Sequence, residues 1–346
     1  MPNDAILLKM RRLCADIYIV KRADPGASGG DMSDASDAVQ PFDSALILQS
    51  LPDALIVVDQ QGCVVLWNSM AEQISGYPAN ESLGRECPEG LLQNVDDCAP
   101  DSCGSDCSTR MCLNDGRRRE MVTYIRHRDG HLVPVLVKLS PVMQNDIVLA
   151  TVVQFSDMTP RTVQEPRSTS VSETGEWVDS ITLLPSMMAS TAQLRESFER
   201  WKLTGERFSA ILISVTDVHI IQHQHGKETV ERLWSALGKT LSGALRHNDF
   251  VGCWMEEHFI ALLPHCAQQQ AREAARRLLV LLQQTAVCHD GAYVSTRIHF
   301  AATSVRANDA PAKLLERLYQ ELKRKEQLEE PTSARTPIPF QQHRPM

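Results

Sequence analysis

The sequence predicts an α+β protein with two folded domains, and three observations carry that expectation. Between residues 41 and 159, short apolar runs of period two, broken at glycine turns, imply a small mixed sheet with helices inserted. Between residues 177 and 327, strands alternate with longer amphipathic segments, which implies a mixed sheet flanked by helices. The two regions are divided by "TPRTVQEPRSTSVSETGEW", whose prolines and serine/threonine cluster read as a linker over 160–176.

The elements follow in order. Residues 1–40 are read as a flexible arm, because "DPGASGGDMSDASDAVQ" cannot bury enough apolar area to offset its ordering entropy. "ALIVVDQQGCVVLWN" is strand, turn, strand, and "SMAEQISGY" is a short amphipathic helix. "MVTYIRHRDGHLVPVLVKLSPV" is a long hairpin turning at Asp129-Gly130, and "DIVLATVVQFSD" is a last strand. After the linker come a helix over "TAQLRESFERWKLTG", a strand over "FSAILISVTD" and a helix beginning near Gly226. A hairpin of Phe250 to Trp254 and Phe259 to Leu263 then turns through Met255, Glu256, Glu257 and His258, and the helix "QQQAREAARRLLVLLQQ" follows it. The tail 328–346 has no periodic apolar face and is expected to be disordered.

A chain of 346 residues, 43% of them hydrophobic, can fill about two cores. Its net charge of −8 gives no dominant basic surface, so a nucleic-acid partner is not expected. No run approaches the length a membrane span needs, and the N-terminus lacks the ordered regions of a signal peptide. A cytoplasmic protein is expected, its ten cysteines then lying in a reducing compartment.

From 43 to 159, "LPDALIVVDQQGCVVLWNSMAEQISGY", "RHRDGHLVPVLVKLSPV" and the terminal "FSDMT" resemble a PAS sensor domain. The resemblance implies an antiparallel sheet with helices, sensory input and pairing into a homodimer. "GRECPEGLLQ" is superficially similar to the cysteine motif of flavin-binding light sensors. The positions that would hydrogen-bond the flavin ring are, however, Ile125, Val135 and Phe155, so no flavin is expected. Cys87, Cys98, Cys103, Cys107 and Cys112, half of all the cysteines, crowd a loop-like insert over 87–112. Thiolates suit zinc or an iron–sulfur centre, yet the spacing matches no closed zinc signature. Two readings stay open: a metal, cluster or thiol sensor on Cys87, Cys98, Cys103 and Cys107, or a cysteine-rich loop without a cofactor.

From 177 to 327 the chain resembles the diguanylate cyclase domain named GGDEF after its hairpin signature, with "DSITLLPSMM" for the family's "DxLTGLPNRR" and "FVGCWMEEHFIALLP" for the signature itself. A nucleotide-cyclase, palm-like sheet is implied. The resemblance also implies lost catalysis. In an active member two carboxylates hold magnesium against the triphosphate. Here one is Ser214, while the other persists as Glu257. The two signature glycines are Met255 and Glu256, and His258 and Phe259 complete the altered signature. The base-recognising positions are Gln222 and Glu231, and Glu326 replaces a phosphate-binding lysine. His219, His223 and His225 read as a solvated loop rather than a replacement metal centre.

One family element survives. The inhibitory Arg-x-x-Asp that binds cyclic di-GMP stands five residues before the signature, as Arg246 and Asp249, and Arg277 falls at the position of a third contributing arginine. Arginine offers phosphate or a guanine edge a planar fork of donors, and a carboxylate accepts from guanine N1 and N2. The resemblance therefore implies a cyclic di-GMP effector without cyclase activity, or else a ligand-free signalling scaffold whose protein partner the sequence does not identify. Pro160 and Pro166 would interrupt a continuous signalling helix between the domains.

Overall fold

The computed structural model describes residues 44–85, 92–93, 107–160 and 177–328. The arm, nearly all of the linker, the tail beyond Leu328, and Cys87, Cys98 and Cys103 lie outside the described residues. The chain divides into two compact units, one taking in residues to Pro88 with Ser108–Arg119 and Lys138–Phe155, the other Glu89–Cys107, Glu120–Val137 and Ser156 onward.

The N-terminal elements are α1 (Ser44–Gln49), β1 (Ala54–Asp59), β2 (Val64–Trp67), α2 (Ser69–Ser75), α3 (Ala79–Ser82), β3 (Leu92–Gln93), α4 (Ser108–Asp115), β4 (Arg119–Arg126), β5 (Leu132–Gln144) and β6 (Ile147–Asp157). Their six strands form one sheet in the order β2-β1-β6-β5-β4-β3. Strand β1 pairs antiparallel with both β2 and β6, and its first five residues, Ala54 to Val58, are all buried, as suits an interior strand. The β1–β2 turn is closed by Asp59, whose Oδ1 accepts the N–H of Gln61 at 3.0 Å and of Cys63 at 2.8 Å. Fully buried Asn68 caps α2 by accepting the Ala71 N–H at 2.9 Å, and also accepts the Leu55 N–H of β1 at 2.8 Å. Ile125, Val135 and Phe155, where a flavin would require amides, are apolar side chains wholly removed from solvent.

In the second unit, α5 (Met187–Thr204), β7 (Phe208–Thr216), α6 (Val218–Ala244), β8 (Phe250–Cys253), β9 (His258–Pro264), α7 (Gln268–Gln284), β10 (Val287–His289), β11 (Ala292–Val294), β12 (Arg297–Ser304) and α8 (Pro311–Leu328) follow in order. The main sheet runs β12-β7-β9-β8, and all three pairings are antiparallel where a mixed sheet was expected. The β8–β9 hairpin returns β9 alongside β7 in the opposite direction, which produces this arrangement. Every residue of β7 except Thr216 is buried. Its alternation feeds two cores: Ile211, Ile213 and Val215 join Phe259 and Leu278 on one face, while Phe208, Ala210 and Leu212 join Phe198 and Leu318 on the other.

Helix α6 begins eight residues earlier than Gly226, at Val218, and bends at Gly226, whose φ of 82° and ψ of 168° are not helical. Polar side chains hide its first two turns from a reading based on apolar periodicity. Buried Ile221 anchors them.

The start of α8 is tied to the end of β12 by a two-pronged ion pair. Arg317 donates to Asp309 Oδ1 at 2.8 Å and Oδ2 at 2.7 Å, and also to the Ser304 carbonyl at 3.1 Å. The Arg317 hydrogen bonds hold the Asp309 pKa below the usual carboxylate range, against the opposing effect of burial. A depressed folded pKa contributes stability above the unfolded value and loses it as pH falls through the folded one. Asp309→Asn is expected to cost about 1–3 kcal/mol in urea unfolding near neutral pH, a deficit that narrows as acid protonates wild-type Asp309.

Candidate functional site

The turn between β8 and β9 is built from Trp254 to Glu257. Trp254 N–H donates to the His258 carbonyl at 2.8 Å, and the Glu257 carbonyl accepts Val215 N–H at 2.8 Å, fastening the turn to the end of β7. Met255 stands at φ +50°, so the chain keeps a left-handed turn without glycine. Leu183, in the segment preceding α5, does the same at φ +59°. Asp179 holds that segment by accepting from Thr182 N–H at 2.8 Å and Thr182 Oγ1 at 2.7 Å. Against it lies Gly252 of β8, where a Cβ would come within 2.3 Å of Ser190 Oγ and 2.9 Å of the Pro185 carbonyl. Glycine is needed there for close approach.

In-register partners on antiparallel strands share a sheet face. Ser214 of β7 faces His258 of β9 on one side and His299 of β12 on the other, forming a polar row across three strands. Ser214 and His299 are both buried. Burial pushes the His258 pKa down, and the nearby charges of Glu326 and Glu257 oppose that shift. Trp254 Nε1–H donates to Tyr319 Oη at 2.9 Å, and Tyr319 O–H donates to Met255 Sδ at 3.4 Å. The His258 ring meets Tyr319 edge-on at 5.9 Å. Large side chains from the hairpin and α8 thus interlock beside the turn.

Of the residues predicted for metal and phosphate chemistry, Glu257 is half-buried, with His219 Nε2 at 3.6 Å from its Oε1. Glu231 is paired with Lys227 at 3.2 Å on α6, and Gln222 is exposed on the other side of the Gly226 bend. Beside Glu326, the Lys325 ammonium is already engaged, donating to the Phe300 carbonyl at 2.9 Å and lying 3.7 Å from that ring's centroid. Phe259 is core, packed against Trp234 at 5.0 Å. His219, His223 and His225 are helical rather than in a loop, because α6 starts before them. The helix sets His219 and His223 on one exposed face, while the His225 ring meets His289 at 5.2 Å.

Arg246, Asp249 and Arg277 converge just before β8. Asp249 Oδ2 accepts the Arg246 backbone N–H at 3.0 Å, and Asp249 N–H donates to the Arg246 carbonyl at 2.9 Å. Arg277 on α7 donates to the Ala244 carbonyl at 3.1 Å. Burial raises the Asp249 pKa, and the Arg246 hydrogen bond and the charges of Arg246 and Arg277 pull it back. Of the cysteine cluster, Cys107 is half-buried and Cys112 is enclosed within α4. The interlocking of Trp254, Met255 and Tyr319 had no signal in the sequence, whereas His299 was foreshadowed only by the alternation of "RIHFAATS".

The family model described as "Diguanylate cyclase, GGDEF domain" matches residues 176–330, and that described as "PAS fold" matches residues 43–158. Three solved structures are similar to the C-terminal part. The diguanylate cyclase SiaD from Pseudomonas aeruginosa, in complex with its activator SiaC, is 22% identical with a TM-score of 0.42, the match covering 44% of this chain and 58% of that one. The FimX GGDEF domain from Pseudomonas aeruginosa is 15% identical over 43% of this chain and 94% of its own, with a TM-score of 0.41. The GGDEF domain of DgcB from Caulobacter crescentus, in complex with c-di-GMP, is 11% identical over 44% and 90%, with a TM-score of 0.42. No curated protein matches the sequence.

A left-handed conformation costs a residue with a Cβ about 1–2 kcal/mol, part of which glycine would forfeit in unfolded-state entropy. Leu183 is 67% exposed, so little packing is lost on replacement, whereas Met255, 54% exposed, also gives up its contact with Tyr319. Leu183→Gly is expected to raise stability by about 0.5–1 kcal/mol, measured as the urea midpoint, and Met255→Gly to raise it less, because the Tyr319 contact is lost.

Proposed function

Because the chain joins a PAS fold to a domain of the GGDEF family, we propose that it is a signalling protein whose C-terminal domain binds cyclic di-GMP rather than making it. One observation carries this reading: two mutual hydrogen bonds hold Asp249 against the Arg246 backbone, and Arg277 reaches the Ala244 carbonyl of the same segment, so two cations and an acceptor are tied to one short stretch ahead of the hairpin. This set suits a guanine edge and its phosphate. Loss of turnover is supported by buried Ser214 at a magnesium-carboxylate position, by Met255 and Glu256 in place of the signature glycines, and by Glu326 near His258. Removing one metal carboxylate costs several kcal/mol of transition-state stabilisation. The PAS domain supplies the input, through a sensed signal or by pairing two copies, and the nucleotide-bound domain presents its surface to a signalling partner in the cytoplasm.

A second reading, a ligand-free scaffold acting through protein contacts, is favoured by the Arg246–Asp249 turn. Its two mutual hydrogen bonds are complete without a ligand.

Calorimetric titration separates the two. Cyclic di-GMP is expected to bind with micromolar affinity, and Arg246→Ala to weaken it by about thirtyfold or more, the worth of a charged hydrogen-bonding partner. Because the Asp249 pKa is raised, affinity falls with acidification earlier than for an ordinary carboxylate, as the acceptor becomes protonated. GTP with magnesium is expected to give no cyclic di-GMP. The absence of binding by the wild-type chain would select the scaffold; turnover of GTP would overturn the loss of catalysis.

A further inference from the structure

Strand β4 ends at Arg126 and β5 begins at Leu132, so five residues, His127 to His131, make the reversal. His127 N–H donates to the His131 carbonyl at 2.8 Å and Gly130 N–H to the His127 carbonyl at 2.8 Å, with Gly130 at φ +94°. This tight closure sets the two histidines opposite each other at the base of the turn and Asp129 at its tip. The imidazole rings stack with centroids 4.4 Å apart. One donor atom from each of His127, Asp129 and His131 lies within 4.8 Å of the other two, the one group of three His, Cys, Asp or Glu residues so disposed among the described residues.

A second, independent feature points to a ligand. His131 Nδ1 is buried and has no hydrogen-bond partner among the described residues. A buried ring nitrogen without a partner forfeits its hydration, a loss that a metal bond would repair. His127 Nδ1 accepts the Asp129 N–H at 3.0 Å and lies 3.6 Å from Asp129 Oδ2. The Asp129 carboxylate faces Lys239, whose ammonium donates to its Oδ2 at 3.2 Å.

We propose that His127, Asp129 and His131 form a binding site for a divalent transition ion of the zinc class, held by two imidazole nitrogens and one carboxylate oxygen with a fourth position open. Mixed nitrogen and oxygen donors suit zinc, cobalt and their neighbours rather than magnesium or calcium. Lys239 Nζ lies 3.2 Å from Asp129 Oδ2 within the same unit, and the ion competes with this ammonium for the carboxylate. Metal loading therefore loosens the Lys239–Asp129 ion pair. The site uses none of the cysteines and is independent of nucleotide binding.

Cobalt(II) titration of the full chain, read by visible absorption, tests the site because cobalt reports its donors. One equivalent is expected to bind with a nitrogen/oxygen spectrum and without the thiolate charge-transfer band of a cysteine site. Replacing Cys87, Cys98, Cys103 and Cys107 together by Ser should leave this spectrum unchanged. Asp129→Asn, at a side chain 57% exposed and therefore safe for folding, should weaken binding by about tenfold or more. His131→Asn should abolish the spectrum, and Lys239→Met should tighten binding by about fivefold by removing the competing cation. No cobalt binding by the wild-type chain, a spectrum lost with the cysteines, or an affinity indifferent to Asp129→Asn would each overturn the proposal.

Discussion

Strand β7 is the constraint on which the second unit depends. It is hydrogen-bonded on both edges and buried on both faces, so each of its residues is committed either to one core or to the other. Apolar side chains solve this easily at Ile211, Leu212 and Ile213. Ser209 and Ser214 are the buried polar exceptions: Ser209 Oγ donates to the Cys266 carbonyl at 2.6 Å, whereas Ser214 has polar neighbours across the sheet on both sides. Polarity at the end of β7 is therefore shared by three strands rather than carried by one residue. The turn after β8 then hangs from this strand end through the Val215–Glu257 hydrogen bond.

Around this scaffold the loops are set by backbone conformation and by close approach of the main chain. Leu183 and Met255 turn as glycines would, and Gly252 still lets the chain before α5 lie against β8. In front of the turn, Met255, Trp254 and Tyr319 engage one another. The Arg246–Asp249 turn, by contrast, lies before β8, with Arg246 exposed in the turn and Arg277 exposed on α7.

Strand and helix positions were legible because period-two and helical alternation survive in "FSAILISV", "FIALL" and "AREAARRLLVLL". The start of α6 was not, since "HIIQHQHG" carries too little apolar pattern to mark a helix whose first turns are held mainly by Ile221. Arg246, Asp249 and Arg277 could be found by spacing, but that Asp249 also closes a backbone turn is a three-dimensional fact. The His127–Asp129–His131 group was visible only as a hairpin turn. Alternation suggests that such residues share a face, and only the tight closure at Gly130 brings the two rings into contact.

The left-handed backbone at Leu183 and Met255 also has a kinetic side. Each strained residue sits beside a hydrogen bond that closes its loop, the Thr182–Asp179 bond before α5 and the Val215–Glu257 bond after β8. Opening either loop releases the strain of one residue, so these two loops open at a lower free-energy cost than equally bonded loops in relaxed backbone.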